Sequence, residues 1–267
     1  MSTHPDGVGV RRSWKAAAAA PRSTGAGTGI GRAVCVRLAE EGADVVVTSQ
    51  TPAHVEETGR LAAEASGREQ LALQLDVADS EAVDRVVAQV VERFGRIDVL
   101  SNNAGIDLVH APSVVQTTND EWDRLFKVNV AGTFYACRAS IPHMPDGSSI
   151  VNMASINSFV AWENDAPYTA TKGAVMQLTR ALALELAARE IRVNAVCPGV
   201  IDTPLNDSFI DRAKDPEALR AEYAAASPFE RMGTAREVAN CVLFLASDES
   251  SFVSGSALLV DGATTAR

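Results

Sequence analysis

A chain of 267 residues, 46% of them hydrophobic, is long enough to bury a full core, and a single α/β domain of this size is ordinary. Its formal net charge of -10 at pH 7 argues against nucleic acid or an anionic membrane as a partner, because both need a basic face that releases counterions. No apolar run reaches the ~18 residues of a transmembrane helix, so no membrane span is expected.

The chain opens on a tail in which Arg11-Arg12, followed by Ala16 to Ala20, has the outline of a twin-arginine export signal. The apolar stretch ends at Pro21 and is shorter than the ~7–15-residue core of a signal peptide, so residues 1–15 read as a loose tail on a cytoplasmic protein. Residues 16–267 read as one domain. Thr24-Gly25-Ala26-Gly27-Thr28-Gly29-Ile30-Gly31 is a glycine-rich turn that opens a helix stopped by Gly42. Such a turn brings backbone N–H groups close to a pyrophosphate, and the helix N-terminus favours negative charge. A strand at 44–48 follows, as this motif requires. The strand before the turn, expected at 16–20, is irregular: a central parallel strand should be rich in Val, Ile and Leu. Pro21 removes a ladder donor, and Arg22 would be a charge inside a covered sheet.

The alternation is regular from there. A helix is expected at 52–66, a strand at 71–75 running into Asp76-Val77, a helix at 80–94, and a strand at 97–101 running into Asn102-Asn103-Ala104-Gly105. A helix over 120–140 contains Asn129, and a buried strand at 150–153 leads to Ser155. The helix over 167–188 carries Tyr168 and Lys172, the strand at 191–196 is closed by Pro198-Gly199, and 203–231 is polar and less regular. A helix over 234–246 and a strand at 257–260 complete the chain. Strand and helix alternating throughout predict a doubly wound parallel sheet with helices on both faces and right-handed crossovers. Cys35, Cys137, Cys197 and Cys241 lie far apart in apolar or helical runs, which fits buried reduced thiols better than a disulfide or a metal site.

Tyr168 and Lys172 are four residues apart and therefore share a helix face. An ammonium beside a phenol favours the phenolate, drawing a pKa of ~10 toward the operating pH of a proton-transferring group. Ser155, at the carboxyl end of a parallel strand, sits where open α/β sheets bind ligands. Taken alone, Tyr-x-x-x-Lys is equally an ordinary surface pair of a helix.

With Thr24-Gly25-x-x-x-Gly29-Ile30-Gly31, Asp76-Val77, Asn102-Asn103-Ala104-Gly105, Asn129, Ser155, Tyr168-x-x-x-Lys172, Pro198-Gly199, Thr203 and Val260-Asp261-Gly262 in one order, the chain resembles the short-chain dehydrogenase/reductase family. The resemblance runs from Thr24 to about Thr264. It implies a Rossmann-type fold, an NAD(P) cofactor, hydride transfer between an alcohol and a carbonyl, and usually a homotetramer; from the cysteine pattern no metal is expected. Carried over, Tyr168 is the acid/base, and Lys172 lowers its pKa and holds the nicotinamide ribose. Ser155 donates to the substrate oxygen, and Asn129 positions a water behind Lys172. Asp76 and Val77 flank the adenine, Asn103, Ala104 and Gly105 lie along the cofactor, and Pro198, Gly199, Ile201 and Thr203 line the nicotinamide carboxamide. Outside the resemblance, Asp76 also reads as the N-cap of the next helix.

At the ribose edge stand Ser49 and Gln50, where an acid would select NAD and an arginine would select NADP. The missing acid leans slightly toward NADP. Specificity is expected from the loops 106–112, 156–166 and 201–226, with Trp162, Glu163 and Asn164 as pocket residues. His110, Asn157 and Asn164 suit a polyol, sugar acid or hydroxy acid as well as a cyclic alcohol or a 3-oxoacyl compound. The alternative is a crippled Rossmann-fold binding or scaffold protein, if the segment before Thr24 cannot support the cofactor loop.

Overall fold

The structure is a computed structural model that describes residues 15–19 and 26–266. Strands β1 (Lys15–Ala19), β2 (Asp44–Ser49) and β3 (Leu71–Gln74) alternate with helices α1 (Gly29–Glu40), α2 (Pro52–Ser66) and α3 (Ser80–Phe94). Then come β4 (Val99–Asn102), α4 (Asn119–Leu125), a π-helical turn at Phe126–Ala131, α5 (Gly132–Ser140), β5 (Ser149–Met153) and α6 (Ala166–Glu185). The chain closes with β6 (Arg192–Pro198), β7 (Ile201–Asp202), α7 (Pro204–Ile210), α8 (Pro216–Ala225), β8 (Gly233–Thr234), α9 (Ala235–Ala246) and β9 (Ala257–Val260). The main sheet has the order β3-β2-β1-β4-β5-β6-β9, and all its pairings are parallel. Helix α1 packs on α2 and α9, while α3 packs on α5 and α6 packs on the π turn, so two helical layers sandwich the strands. This is the doubly wound Rossmann-type architecture that the alternation predicts.

The alanine run does form the missing strand. β1 takes the slot between β2 and β4, with Ala17 in register with both Val46 and Leu100. Propensity is overridden here because a backbone flanked on both sides satisfies its ladder from two neighbours, whatever its side chains prefer. The expectations for Pro21, Arg22, Thr24 and Gly25 lie outside the described residues.

The sheet core is aliphatic: Val45, Val46, Val47, Ile150, Val193 and Val196 are all buried, each contributing ~1.5–3 kcal/mol relative to exposure. Through it runs a polar chain in which Asn102 Nδ2 donates to Asn152 Oδ1 at 2.9 Å and Asn152 Nδ2 donates to Thr179 Oγ1 at 2.9 Å. Asn102 thus belongs inside β4 rather than in the turn beyond it. The four cysteines are free thiols, and burial pushes Cys35, Cys137 and Cys197 up to about 12.

Two departures from the sequence reading shape the site. The helix expected over 120–140 is interrupted by the π turn that carries Asn129, a distortion that recurs at functional positions. The irregular stretch 203–231 contains α7 and α8, and a small parallel pair between β7 and β8 closes this excursion at its base. One alternative is also decided. Asp79 caps α3 by accepting from the N–H groups of Glu81 and Ala82, so Asp76 is not the cap.

Candidate active site

The carboxyl ends of the strands open into a cleft of about 560 Å³, roofed by α7 and α8. Ser155, immediately beyond β5, is buried, and its Oγ accepts from Asn157 N at 3.2 Å. Tyr168 and Lys172 both lie on α6, and the Lys172 ammonium sits 5.4 Å from the Tyr168 ring centroid. Lys172 Nζ donates to the Met153 carbonyl at 2.9 Å, which ties the helix to the end of β5. A Cβ at Gly105 would come within 3.3 Å of that same Nζ, so glycine is what lets the 103–105 backbone pass the lysine. Gly29, Ile30, Asn103, Pro198, Gly199, Ile201 and Thr203 line the same cleft. Ala104 is buried beneath it.

Asn129 stands one layer behind. Its Oδ1 accepts from Ile106 N at 2.8 Å, and its Nδ2 donates to Ile106 O at 2.9 Å and to Thr171 Oγ1 at 3.0 Å. The π turn aims this side chain across to the strand end and to α6 at once, and Thr133 Oγ1 bonds back to the Asn129 carbonyl at 2.9 Å. Gly31, inside α1, is buried. Val77 is also buried, against α5: a Cβ at Gly132 would lie 2.3 Å from Val77 Cγ2, so only glycine admits this packing.

The ribose edge is a second, smaller hollow of about 370 Å³ that includes Gln50 and Asp76. Gln50 Nε2 donates to Asp76 Oδ2 at 2.5 Å, and Asp76 Oδ1 accepts from Ala78 N at 3.0 Å. Gln50 Oε1 is buried without a hydrogen-bond partner among the described residues. Ser49 is buried beside the glycine turn, where a Cβ at Gly27 would meet Ser49 Oγ at 2.8 Å and His54 Cβ at 2.5 Å. Sequence reasoning missed the brace on this turn: Arg32 donates to the Gly27 carbonyl at 2.7 and 3.1 Å, and Thr58 donates to it at 3.2 Å.

The electrostatics correct one expectation. The Tyr168 phenol is pushed up from its ordinary value, first by burial and then by the charges of Asp107 and Asp165, with a Ser155 hydrogen bond acting the other way. Spacing along α6 revealed the lysine but not Asp107, which follows β4; Asp165, the N-cap of α6 three residues before Tyr168, was within reach of the same argument, and sequence reasoning missed it. Burial pushes Lys172 down to about 8, partly offset by Cys197 and Asp107. Asp107 is pushed up to about 6 by burial, and Asp165 to about 7 by burial and by Asp107. Of the expected pocket residues, Asn157, Trp162, Glu163 and Asn164 face the cleft. His110 does not line it; it is exposed, with Nε2 at 3.2 Å from Glu121 Oε1.

A family model described as "Enoyl-(Acyl carrier protein) reductase" matches residues 25–265. The chain is similar to 2-(R)-hydroxypropyl-CoM dehydrogenase of Xanthobacter autotrophicus, with 42% identity over 246 residues, covering 91% of this chain and 97% of that one. It is 40% identical over 245 residues to a short-chain dehydrogenase/reductase of Pyricularia oryzae, covering 90% and 89% of the two chains. Among solved structures it is similar to the ligand-free aldohexose dehydrogenase of Thermoplasma acidophilum, with a TM-score of 0.82, 33% identity and 95% of each chain covered. With this likeness along nearly its whole length, the chain belongs to the short-chain dehydrogenase/reductase family of oxidoreductases.

Proposed function

We propose that this cleft transfers hydride between NAD(P) and a secondary alcohol or the matching ketone, with Tyr168 as the acid/base. The observation that carries the reading is the convergence of Ser155, Tyr168 and Lys172 in one cleft with Asn129 directly behind them. The residues fit a dinucleotide. The first turn of α1 has no acidic residue and, among the described residues, no side-chain cap, and the opening amides of a helix have no partner within the helix itself. Gly29 adopts φ +52°, a left-handed conformation that residues with side chains rarely take, and it lies against Thr203 at the floor of the cleft. The nicotinamide, when bound, accepts or gives the hydride.

The chain's own residues handle the oxygen and the proton. Ser155 Oγ–H donates to the substrate oxygen, where charge develops during reduction. The Tyr168 hydroxyl delivers its proton to that oxygen and recovers it in the reverse direction. Burial and two nearby carboxylates hold this proton in place, which suits the acid role. The Lys172 ammonium offsets the negative charge that the phenol acquires once the proton has left. Asn129 fixes the 105–107 segment beside the lysine and would order a water there.

At the ribose edge, the missing acid at Ser49-Gln50 leans toward NADP. A specific observation favours NAD as a second reading, since the buried Gln50 Oε1 suits a ribose hydroxyl as donor. Among the described residues no helix is long and apolar enough to cross a membrane. We read residues 16–267 as one cytoplasmic domain in a homotetramer, the latter on family expectation. The test is oxidation of a panel of secondary alcohols, followed by the absorbance of the reduced nicotinamide. Tyr168→Phe removes only the transferable proton and should cut kcat by ~10²–10⁴-fold while cofactor binding persists. Retention of more than about a tenth of kcat would withdraw the acid/base role.

A further inference from the structure

The charge around the substrate end of the cleft is one-sided. Among the described residues the lining contains the carboxylates Asp107, Glu163, Asp165 and Glu222, while Lys172 is its only basic side chain. That lysine is already committed, donating to the Met153 carbonyl at 2.9 Å from within the protein. The guanidinium that commonly grips a carboxylate or phosphate substrate has no counterpart among the described residues of this wall.

Two of the carboxylates are built in rather than splayed at the rim. Asp107 follows the Gly105-Ile106 backbone held by Asn129, and its Oδ1 accepts from Leu108 N at 2.7 Å. Asp165 lies just before α6; its Oδ2 accepts from Asn157 Nδ2, and Thr169 Oγ1 lies 3.4 Å away. Asn157 in turn touches Ser155, whose Oγ is 3.3 Å from Asn157 Oδ1. Asp165, Asn157 and Ser155 therefore form one connected chain along the substrate side. Asp107 and Asp165 both line the cleft with Tyr168, and both act electrostatically on its phenol.

We infer that the substrate is a hydroxylated compound that carries no negative charge and presents a second hydrogen-bond donor, a hydroxyl or an ammonium, to Asp107 and Asp165. A diol, polyol or amino alcohol meets this requirement; a hydroxy acid or sugar acid does not. The inference rests on the oxidoreductase reading of the cleft and deepens it. Its physical cause is the cost of bringing an anion against two partly buried carboxylates, whereas a donor offsets the desolvation that they suffer. Burial pushes Asp107 up to about 6 and Asp165 to about 7, with Asp107 adding to the latter, so both stand as charged acceptors above about pH 7.

The experiment uses three compounds on one carbon skeleton: propylene glycol, isopropanolamine and lactate, with isopropanol as the reference that lacks a second donor. Each is assayed at pH 8, where both carboxylates are charged, with the full chain and saturating cofactor for kcat/KM, and separately for the rise in melting temperature at equal concentration. Propylene glycol or isopropanolamine should exceed both lactate and isopropanol by about a hundredfold in kcat/KM, the size of two screened charge contacts. The Asp107→Asn/Asp165→Asn variant should narrow the gap to lactate to about tenfold or less. Lactate equal to or better than the diol, isopropanol turned over best, or an unchanged gap in the variant would each overturn the inference and leave the oxidoreductase reading intact. If no alcohol reduces the cofactor, that reading fails instead. The thermal shifts then decide the substrate class: stabilisation by propylene glycol or isopropanolamine but not lactate supports it, and any other pattern overturns it.

Discussion

Asn129→Ala separates the packing role of this residue from its place in the site. The side chain is 1% exposed and serves both backbone groups of Ile106, accepting from its N–H at 2.8 Å and donating to its carbonyl at 2.9 Å. Truncation orphans these two groups at a buried position, costing ~1–3 kcal/mol each before any water enters the space. The third contact, to Thr171 Oγ1, is lost more cheaply, because that hydroxyl keeps its own bond to the Tyr168 carbonyl at 2.7 Å. Alanine's better helix propensity returns ~0.5 kcal/mol. The net expectation is a loss of ~2–4 kcal/mol, or a fall in Tm of ~4–15 °C for a chain of this size. Urea unfolding at an unchanged m-value measures it. Turnover, taken at a temperature where the variant is fully folded, should also fall, because the freed segment carries Gly105 against Lys172 Nζ and leads to Asp107. A loss below ~0.5 kcal/mol would refute the accounting by showing that Ile106 is satisfied in some other way. A full loss of stability with unchanged kcat would reduce Asn129 to a structural brace.

At the ribose edge, Ser49→Asp should move the kcat/KM ratio toward NADH, and Gln50→Arg toward NADPH; ratios unmoved in both would place the adenosine end of the cofactor elsewhere. Asp165 gives a pH prediction with a definite sign. Its folded pKa, about 7, lies above the ordinary carboxylate value. The folded state therefore holds a proton that the unfolded chain has released, and stability is lost as pH rises from about 4 to about 7. Tm of the parent should fall across that window more steeply than Tm of Asp165→Asn, and parallel curves would show that Asp165 titrates normally. Lys172→Ala should impair both turnover and cofactor binding, which fluorescence titration and steady-state rates distinguish from a loss of turnover alone.

Much of the fold was legible because local chemistry and long-range packing agree. α2 begins on Pro52 and stops before Gly67 at φ +67°, and α3 begins after the capping Asp79 and stops before Gly95 at φ +79°, so both helices carry their own boundaries. Strand ends were less legible, since the carboxyl end of a buried strand can carry polar residues that satisfy one another, as Asn102 and Asn152 do. β1 defied propensity altogether. Five residues, Lys15–Ala19, read poorly alone and become a strand because β2 and β4 supply partners on both sides.

The site divides along the same line. Tyr168 and Lys172 were readable as a pair because one helical turn joins them, and the glycine turn because its spacing is local. Asp107 gave no such signal, because it follows β4 and only the sheet order, with β4 beside β5, brings it to the phenol; Asp165, the N-cap of α6, stands three residues before Tyr168 and lay within reach of the spacing argument. Spacing pointed to Tyr168 and Lys172 yet misjudged which way the surroundings move the phenol, since Asp165, three residues before Tyr168, and the distant Asp107 raise it where Lys172, four residues after, was expected to lower it. Asp107 and Asp165 both act on the phenol, and Asp107 also acts on the lysine. Asp107 raises the proton affinity of both Tyr168 and Lys172, so neutralising it as Asp107→Asn should lower both and shift the alkaline limb of the reduction profile to lower pH. An alkaline limb that stayed in place would mean that neither group sets it, and the electrostatic coupling drawn between the strand end and α6 would have to be abandoned.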